Sequence, residues 1–507
     1  MSASDWVRAP DDPLGPIPVS GVLVEFVPFV QVPATHGSAP RARLSVLRPD
    51  PSEPGLLWVN DQRGPLYFIQ DSNVEEYFNL RDRRSDFVDS PGLGSGFQSF
   101  AIHPEYANNG RFYTVHTESG GSAPADFTGP SVTSSFIQGI VTEWTDLSPG
   151  GSAFVGFSRE LLRIDFPHQF HGIQEVAFNP NAGPGSPDYG LLYVTIGDGG
   201  AFNEGIPGDL MRLDSLYGTI LRIDPRGSDG LSGEYGIPAD NPFVDAADPE
   251  VLAEIYAYGF RNPHRIVFQP SAQALNSGDP LIFVNEIGED RFEEINQLLP
   301  GANYGWPERE GTYRFRPEST QFRSHSYELP DNDETLGFTY PVVQWDRSPG
   351  NGSAIGSGIF YNGSDVPALR GHYVTADIRD GMLYHFPLSS LDPGGQAPIY
   401  EFQIEGPDGQ RQQLGQRYTG RVDLRLGVDH GGEMYAFTKN DGAIYRLKGI
   451  SKGWEMYPVA DGWVDTMGWM GRFFIEQEAW VFSERLNRWV YWPHQDQTEG
   501  AWFYAPR

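Results

Sequence analysis

Two histidines, His168 and His171, stand three residues apart in the stretch FPHQFHGIQEVAFNP, just before a run with strand character. A histidine can act as a general base near neutral pH, because its unperturbed pKa is about 6.5. The two histidines could instead form a metal pair, but a zinc site needs a third ligand and the sequence does not point to one. The stretch could also be a loop that carries two polar rings. The residues alone leave these three interpretations open.

The elements that must position these histidines are strands. Apolar and polar residues alternate before turns such as Asp-Gly, which is typical of half-buried hairpins, and helical periodicity is nearly absent. Six such units recur, and each is too small to fold alone. We therefore expect an all-β fold, a six-bladed β-propeller, with a long β-sandwich or β-helix as the alternative. The units are GLLWVNDQRGPLYFI, GRFYTVHTESGG, YGLLYVTIGDGG, DPLIFVNEIGED, GHYVTADIRDGMLYHF and GEMYAFTKNDGAIYRL.

A change in composition near Gly449 predicts a domain boundary. Seven of the twelve tryptophans follow it, in short units such as GWVDTMGW and AWVFSERLNRWVYW. We divide the chain into an N-terminal extension (1–20), a propeller (21–448) and a small C-terminal aromatic-rich β module (449–507). Aromatic packing accounts for the tryptophans of this module, and contact with a surface or a glycan is the alternative.

The composition excludes several classes of partner. The formal charge of −31 argues against nucleic acid and anionic membranes. Cysteine is absent, which excludes a disulfide framework and thiolate metal sites. No stretch approaches the roughly 20 apolar residues that span a bilayer. The first residues lack the features of a signal peptide, so we expect a secreted or periplasmic protein whose leader has been removed, with a cytoplasmic location as the alternative.

Several motifs resemble, in order along the chain, those of the soluble pyrroloquinoline-quinone-dependent glucose/sorbosone dehydrogenases, also called aldose sugar dehydrogenases. The resemblance runs from about residue 20 to residue 448. It implies a six-bladed propeller, in agreement with the number of repeats. The motifs are GFQSFAIHPEYANNGRFY, HGIQEVAFNP with GLLYVTIGDGG, GTILRIDP with GIPADNPF, EIYAYGFRNPHRIVFQP, and NEIGEDRFEEINQLLPGANYGWPEREG.

The resemblance implies a quinoprotein oxidoreductase. Such an enzyme oxidises an aldose sugar, or a related aldehyde or alcohol, passes hydride to pyrroloquinoline quinone and then reduces an external electron acceptor. This chemistry needs a base on the sugar hydroxyl, a cation at the quinone carbonyl and cations for the three cofactor carboxylates. His171 matches the family's base in register, so the resemblance favours His171 as the catalytic base and His168 as a loop residue.

Four arginine and asparagine residues are the cofactor ligands that the resemblance implies. Arg261 and Asn262, in GFRNP, fall on the family's cofactor-contacting pair, and Arg379 lies where the family has a lysine that grips the quinone. The family's late R-x-R-D clamp reads GRVD here, so Arg421 falls between the two expected positions. A strand bulge could turn Arg421 inward, or Arg417 could replace it. An ordinary structural role in a corner or turn is the alternative for Arg261, Asn262 and Arg379.

Two calcium sites also follow from the resemblance. The backbone carbonyls of Gly288 and Glu289 would hold the Ca²⁺ that polarises the quinone. Glu294 and the carbonyl of Tyr304 would hold a second, structural Ca²⁺, and oxygen-only ligands suit this ion. Ordinary solvated charge is the alternative for Glu294.

Departures from the family keep two other classes of function open. Gly94 replaces a family glutamine, and HGIQ lacks the two glycines that follow the base in the family. The chain could therefore be a propeller that binds glycans or a protein partner without the quinone. It could also be a hydrolase or lyase in which His171 works with a carboxylate such as Asp198 or Glu175.

Overall fold

Short antiparallel sheets follow one another along the chain, as the repeated hairpin units predict. A computed structural model describes residues 7–10, 12–91, 94–273, 279–315, 326–347, 352–392, 394–406, 409, 411–414, 421–450, 459–460, 463–465, 472–477, 480–484 and 487–491. Within these ranges, six four-stranded sheets form the blades of a propeller. Additional short strands extend some of their edges.

The strands alternate apolar and polar residues and end at Gly- or Asp-containing turns, which makes each sheet a compact meander. Their bounds in the first three blades are β2 (Leu44–Pro49), β3 (Leu57–Asp61), β4 (Pro65–Gln70) and β5 (Asn73–Asn79); β6 (Ser99–Ile102), β7 (Arg111–Ser119), β9 (Ile137–Asp146) and β10 (Gly156–Phe166), with β8 (Phe127–Thr128) at the edge; and β11 (Ile173–Phe178), β12 (Leu192–Ile196), β13 (Thr219–Ile223) and β14 (Ile255–Tyr258).

The other three blades follow the same order. Their strands are β15 (Pro263–Phe268), β16 (Ile282–Ile287), β17 (Phe292–Gln297) and β21 (Val343–Asp346); β22 (Ile355–Tyr361), β23 (His372–Asp377), β24 (Leu383–Pro387) and β25 (Tyr400–Glu405), with β26 (Arg411–Gln412) at the edge; and β27 (Arg425–Val428), β28 (Met434–Phe437), β29 (Ala443–Gly449) and β1 (Val19–Gln31).

The sixth blade closes the ring, because its outer strand comes from the start of the chain. β1 pairs antiparallel with β29 from Val24↔Gly449 to Gln31↔Ala443. It also pairs in parallel with β25, which joins the fifth and sixth blades. The first strands of successive blades contact one another around a central channel, including β27 with β2 and β22 with β27. This arrangement is the six-bladed, all-β propeller that the sequence predicts.

Smaller elements lie outside the blades. A three-stranded sheet contains β18 (Arg309–Glu310), β19 (Tyr313–Phe315) and β20 (Ser326–Tyr327). Five short strands of the C-terminal region form one sheet: β30 (Val459–Ala460), β31 (Trp463–Asp465), β32 (Arg472–Gln477), β33 (Trp480–Ser483) and β34 (Arg488–Tyr491). The described helices are α1 (Tyr106–Asn109) and single 3₁₀ turns at Leu80–Asp82, Pro207–Asp209, Ser271–Gln273, Asp333–Thr335, Pro367–Leu369 and Leu388–Ser390. None of the helices in the described ranges has the length and apolarity to cross a membrane.

The hydrophobic core lies between neighbouring blades. Trp58 and Phe78 of the first blade pack against Phe112 and Trp144 of the second, and all four are buried. Phe78 meets Trp144 edge to face, with ring centroids 4.6 Å apart. Each such ring contributes about 1.5–3 kcal/mol of burial free energy. This packing stabilises the contact between neighbouring blades, which carry the loops at the channel mouth.

The predicted start of the propeller domain, residue 21, falls inside β1, which begins at Val19. Residues before it also make contacts, since the Ala9 amide donates to the Ser326 carbonyl at 3.0 Å. The division into three domains stays a prediction, and much of the aromatic-rich region lies outside the described residues.

Candidate active site at the channel mouth

One end of the channel collects most of the residues singled out by the sequence. In each antiparallel blade, the start of the first strand and the loop between the second and third strands lie at the same end. His171 precedes β11, and Arg261 and Asn262 precede β15. Asp198 lies between β12 and β13, and Glu289 lies between β16 and β17. The topology therefore brings these five residues to a common rim.

His171 forms a hydrogen-bonded pair with Asp198. Its Nδ1 lies 2.8 Å from Asp198 Oδ1, and the His171 side chain is 13% exposed while that of Asp198 is 1% exposed. The Gly200 amide donates to Asp198 Oδ1 at 2.9 Å, and Trp306 Nε1 donates to Oδ2 at 3.1 Å. The carboxylate is thus fixed on both oxygens, and it fixes the orientation of the imidazole.

Electrostatics sets the protonation state of this pair. Burial lowers the pKa of His171, and Arg261 lowers it further, while Asp198 opposes both. Burial alone would raise the pKa of Asp198, but His171 and Arg261 outweigh it and the net shift is downward. At neutral pH Asp198 is therefore ionised and accepts the Nδ1 proton of a neutral His171. The lone pair of Nε2 is left free to accept a proton from a substrate.

The loop before β11 needs glycine in the neighbouring turn. His171 has a φ of +57°, in the left-handed region that non-glycine residues seldom adopt. Gly197 lies so close that a Cβ there would meet the His171 carbonyl oxygen at 2.5 Å and its Cβ at 2.7 Å. At Gly200, a Cβ would lie 2.6 Å from the Cβ of His168. The motif IGDGG therefore supplies Asp198 and makes room for the histidine loop.

Arg261 and Asn262 stand beside the pair. The Asp198 amide donates to the Arg261 carbonyl at 2.7 Å, which ties the third blade to the fourth. The Arg261 guanidinium lies 5.8 Å from the ring centre of Trp306 and forms an ion pair with Glu289. Arg261 Nε and Asn262 Oδ1 are buried and have no hydrogen-bond partner in the described structure. Buried polar atoms without a hydrogen-bond partner are rare in proteins unless a ligand or a water molecule bonds to them.

The carbonyls of Gly288 and Glu289 already accept hydrogen bonds from guanidinium groups. The Gly288 oxygen accepts from Arg261 Nη1 and from Arg347 Nη2, each at 2.6 Å. The Glu289 oxygen accepts from Arg347 Nη1 at 2.9 Å. Both lone pairs of the Gly288 oxygen are used, so the residues as they stand do not fit the predicted catalytic Ca²⁺.

Glu294 lies in a different setting, among buried carboxylates. It accepts the Gly311 amide at 2.5 Å and shares the Asn296 side-chain amide with Glu286, at 3.2 and 2.9 Å. Burial raises the pKa of Glu294 to about 7. The Tyr304 hydroxyl donates to the Gln297 carbonyl. Within the described residues no three His, Asp or Glu side chains are grouped for a metal ion, and the structural Ca²⁺ stays a prediction.

Arg379 and Arg421 lie on the same rim but point to solvent. Their side chains are 60% and 43% exposed. Arg421 Nε donates to Asp423 Oδ1 at 2.7 Å, and Arg379 lies 3.9 Å from Asp380. The backbone brings them together, since the Val422 amide donates to the Arg379 carbonyl at 2.8 Å. Arg417 falls outside the described residues.

Two buried cations that the sequence analysis did not select, Arg425 and Lys439, lie in the channel. Arg425 is 4% exposed and Lys439 is 6% exposed. Arg425 Nη1 donates to the Leu424 carbonyl at 3.0 Å, while its Nε is buried without a partner. Within the described ranges, no side-chain or backbone oxygen is bonded to the Lys439 ammonium. Burial lowers the pKa of Arg425 to about 9, helped by Arg265, and it lowers the pKa of Lys439 strongly, helped by Arg425.

His264 connects these cations electrostatically to the histidine pair. Burial lowers its pKa far below the usual value, and Arg265, Arg425, Lys439 and, when protonated, His171 add to that effect. Its Nδ1 is buried without a partner among the described residues. The channel mouth therefore combines a general base with a set of under-bonded cationic groups, which is an arrangement that an anionic ligand would complete.

The other candidates from the sequence lie apart from this arrangement. His168 Nε2 is 3.9 Å from Glu204, and its ring packs on Phe170 with centroids 4.6 Å apart. No third ligand for a His168–His171 metal pair is found in the described ranges. Glu175 forms an ion pair with Arg48, and both line a cavity of about 530 Å³ in the channel. Of the two carboxylates considered for His171, the structure pairs it with Asp198.

Fold and site together define a six-bladed propeller protein with a histidine–aspartate pair and buried cations at one mouth of its channel. The sequence profile of the glucose/sorbosone dehydrogenase family matches residues 173–446, more than half of the chain. The chain belongs to this family. Both the family and the propeller fold predicted from the sequence are confirmed.

Two individual relatives and one solved structure share between 19% and 29% sequence identity with this chain. The HIPL1 protein of Arabidopsis thaliana is 29% identical over 330 residues, covering 56% of this chain and 42% of that protein. The aldose sugar dehydrogenase YliI of Escherichia coli is 25% identical over 363 residues, covering 70% of this chain and 83% of that protein. The crystal structure of the soluble aldose sugar dehydrogenase of Escherichia coli in the apo form matches with a TM-score of 0.53 and 19% identity, over 86% of this chain and 98% of that one. This likeness supports the fold. The chain spans about half or less of the plant relatives, 42% of HIPL1 and 50% of HIPL2.

Proposed function

We propose that this protein is a quinoprotein oxidoreductase that oxidises an aldose sugar, or a related alcohol or aldehyde, with pyrroloquinoline quinone bound at the channel mouth. The observation that carries the proposal is the hydrogen-bonded pair of His171 and Asp198 beside buried basic side chains whose nitrogens are not fully hydrogen-bonded. Family membership supports the same reaction class. A small-molecule substrate and an external electron acceptor are the partners that this reaction requires, and a secreted or periplasmic location is part of the proposal.

The under-bonded groups fit the cofactor's chemistry. Pyrroloquinoline quinone carries three carboxylates, and the formal charge of the chain is −31, so a binding site needs a local concentration of positive charge. Arg425 provides buried charge, a bound carboxylate would favour the protonated form of Lys439, and Arg261 provides an unpartnered Nε. Charge-assisted hydrogen bonds to carboxylates contribute about 1.5–3 kcal/mol each. The exposed Arg379 and Arg421 would add a weaker, screened attraction.

The catalytic step rests on the histidine. His171 Nε2 accepts the proton of the substrate hydroxyl as the C–H bond at the same carbon breaks. Asp198 stabilises the imidazolium that forms, because it is ionised and already bonded to Nδ1. When bound, the quinone supplies the two-electron acceptor for the hydride. Burial of the pair keeps water from weakening these interactions.

Purified protein tests the proposal. Pyrroloquinoline quinone is titrated in and followed through the tryptophan fluorescence, and dye reduction is then measured across a panel of aldoses. We expect binding and turnover in the wild type, and binding without turnover in a His171→Ala variant. Absence of both binding and turnover would contradict the proposal and favour a propeller that binds glycans or a protein partner. Turnover that survives His171→Ala would remove the histidine from the reaction.

A further inference from the structure

The side chain of Arg347, just after β21, reaches into the loop between β16 and β17. Its three nitrogens donate to three oxygens there: Nη2 to the Gly288 carbonyl at 2.6 Å, Nη1 to the Glu289 carbonyl at 2.9 Å, and Nε to Glu293 Oε1 at 2.6 Å. The side chain is 15% exposed. The Arg347 backbone is held as well, because its amide donates to the Arg291 carbonyl at 2.8 Å.

These three oxygens form the kind of set that a hard cation selects. Two adjacent carbonyls and a buried carboxylate are typical ligands of Ca²⁺. Here a planar guanidinium satisfies all three, and it remains protonated because Glu293 and Glu310 raise its pKa in spite of burial. The Gly288 oxygen receives its second hydrogen bond from Arg261.

Each of the two guanidinium groups already has a carboxylate partner. Arg347 pairs with Glu293, whose side chain is 0% exposed, and Arg261 pairs with Glu289. A divalent ion at the two carbonyls would meet two guanidinium groups within hydrogen-bond distance of the same oxygen. Repulsion between these charges is strong in a buried site, since Coulomb interactions there are only partly screened.

We propose that Arg347 is a built-in cation that takes the place of a divalent metal at the carbonyls of Gly288 and Glu289. It acts as a positioning residue. It holds the loop that carries Glu289, and through the Glu289 ion pair and the Gly288 carbonyl it holds Arg261 beside His171. The channel mouth is then organised without calcium at this position, whatever ligand the site takes.

Removal of the guanidinium should open the site to a metal. In an Arg347→Ala variant the two carbonyls and the Glu293 carboxylate lose their cation, so we expect the variant to bind one more equivalent of Ca²⁺ than the wild type in calorimetric titration. Ca²⁺ should also raise the unfolding temperature of the variant more than that of the wild type. Arg347→Lys, which keeps the charge, should not gain the extra equivalent. Arg379→Ala, which removes an exposed arginine from the same rim, is the matched control and should bind the same number of Ca²⁺ equivalents as the wild type.

Equal stoichiometry in the wild type and Arg347→Ala would overturn the inference, because the guanidinium would then not block a metal. Any Ca²⁺ site shared by both proteins cancels in the comparison. If Arg347→Ala does not fold without metal, refolding in Ca²⁺ against refolding in a chelator decides the matter: recovery with Ca²⁺ supports the inference, and failure in both overturns it. No quinone is needed, so the result stands apart from the proposed activity.

Discussion

Replacement of Arg425 by glutamine should weaken quinone binding and, at the same time, stabilise the ligand-free fold. Arg425 is 4% exposed, and its Nε has no partner within the described structure. Lys439 lies close enough to interact with it electrostatically. Loss of one charge-assisted contact to a cofactor carboxylate costs about 1.5–3 kcal/mol, which weakens the affinity about 10- to 150-fold at about 1.4 kcal/mol per decade. Without ligand, removal of a buried under-bonded charge should stabilise the fold by about 1–3 kcal/mol.

Quinone titration and thermal unfolding of Arg425→Gln measure both effects. Arg421→Gln is the matched control, because Arg421 lies four residues away and is 43% exposed. Exposed ion pairs contribute about 0–1 kcal/mol, so this control should lose no more than about fivefold in affinity. A role for Arg425 in ligand binding would be excluded if Arg421→Gln weakened binding as much as Arg425→Gln. A lower unfolding temperature of ligand-free Arg425→Gln would show that the buried guanidinium stabilises the fold.

Further predictions concern the histidine pair. First, turnover should fall only when the pH drops below 6.5, because the pKa of His171 is lowered and only the neutral imidazole accepts a proton. A turnover rate that already falls between pH 8 and pH 6.5 would contradict the lowered pKa. Asp198→Asn should reduce kcat by about 10²–10⁴, the usual effect of losing an oriented general base, with quinone affinity nearly unchanged, and a wild-type rate in this variant would rule out the orienting role. Second, Trp306→Phe removes the 3.1 Å hydrogen bond to Asp198 and should cost about 1–3 kcal/mol of unfolding free energy, measured by denaturant titration. Third, Gly197→Ala places a Cβ 2.5 Å from the His171 carbonyl oxygen and should abolish turnover. Circular dichroism should show that the secondary structure is unchanged. Full activity of this variant would show that the loop can shift freely.

The choice between Asp198 and Glu175 shows what the sequence could and could not predict. Strand alternation alone does not distinguish them, but direction along the strand does. Glu175 lies four residues beyond His171, roughly 13 Å along an extended chain at 3.3 Å per residue, so it belongs deeper in the channel. Asp198 follows β12, which runs antiparallel to β11 and returns to the same end. Fold topology, once known, therefore selects the partner.

Cations at the channel mouth were harder to predict. Arg421, Asp423 and Arg425 alternate in sequence and would share one face of an extended strand, but the motif GRVD ends before Arg425. Lys439 is one of only three lysines in the chain, a local signal whose meaning depends on how the loop between β28 and β29 folds. Arg347 gives no local signal at all, because its three acceptors lie more than fifty residues away. Contacts of this kind follow from blade packing, which no short motif encodes.

Closure of the ring by β1 has a consequence for biosynthesis. The strand VSGVLVEFVPFVQ is synthesised before its antiparallel partner β29, which begins about 400 residues later. At about 5–20 residues per second, roughly 20–80 seconds pass before the two can meet. During that interval a long apolar edge carrying Phe26 and Phe29 has no native neighbour, and such edges are prone to pair with other chains. Yield in the cell should therefore depend on chaperones that shield nascent segments, even though the finished protein has no such edge at this strand.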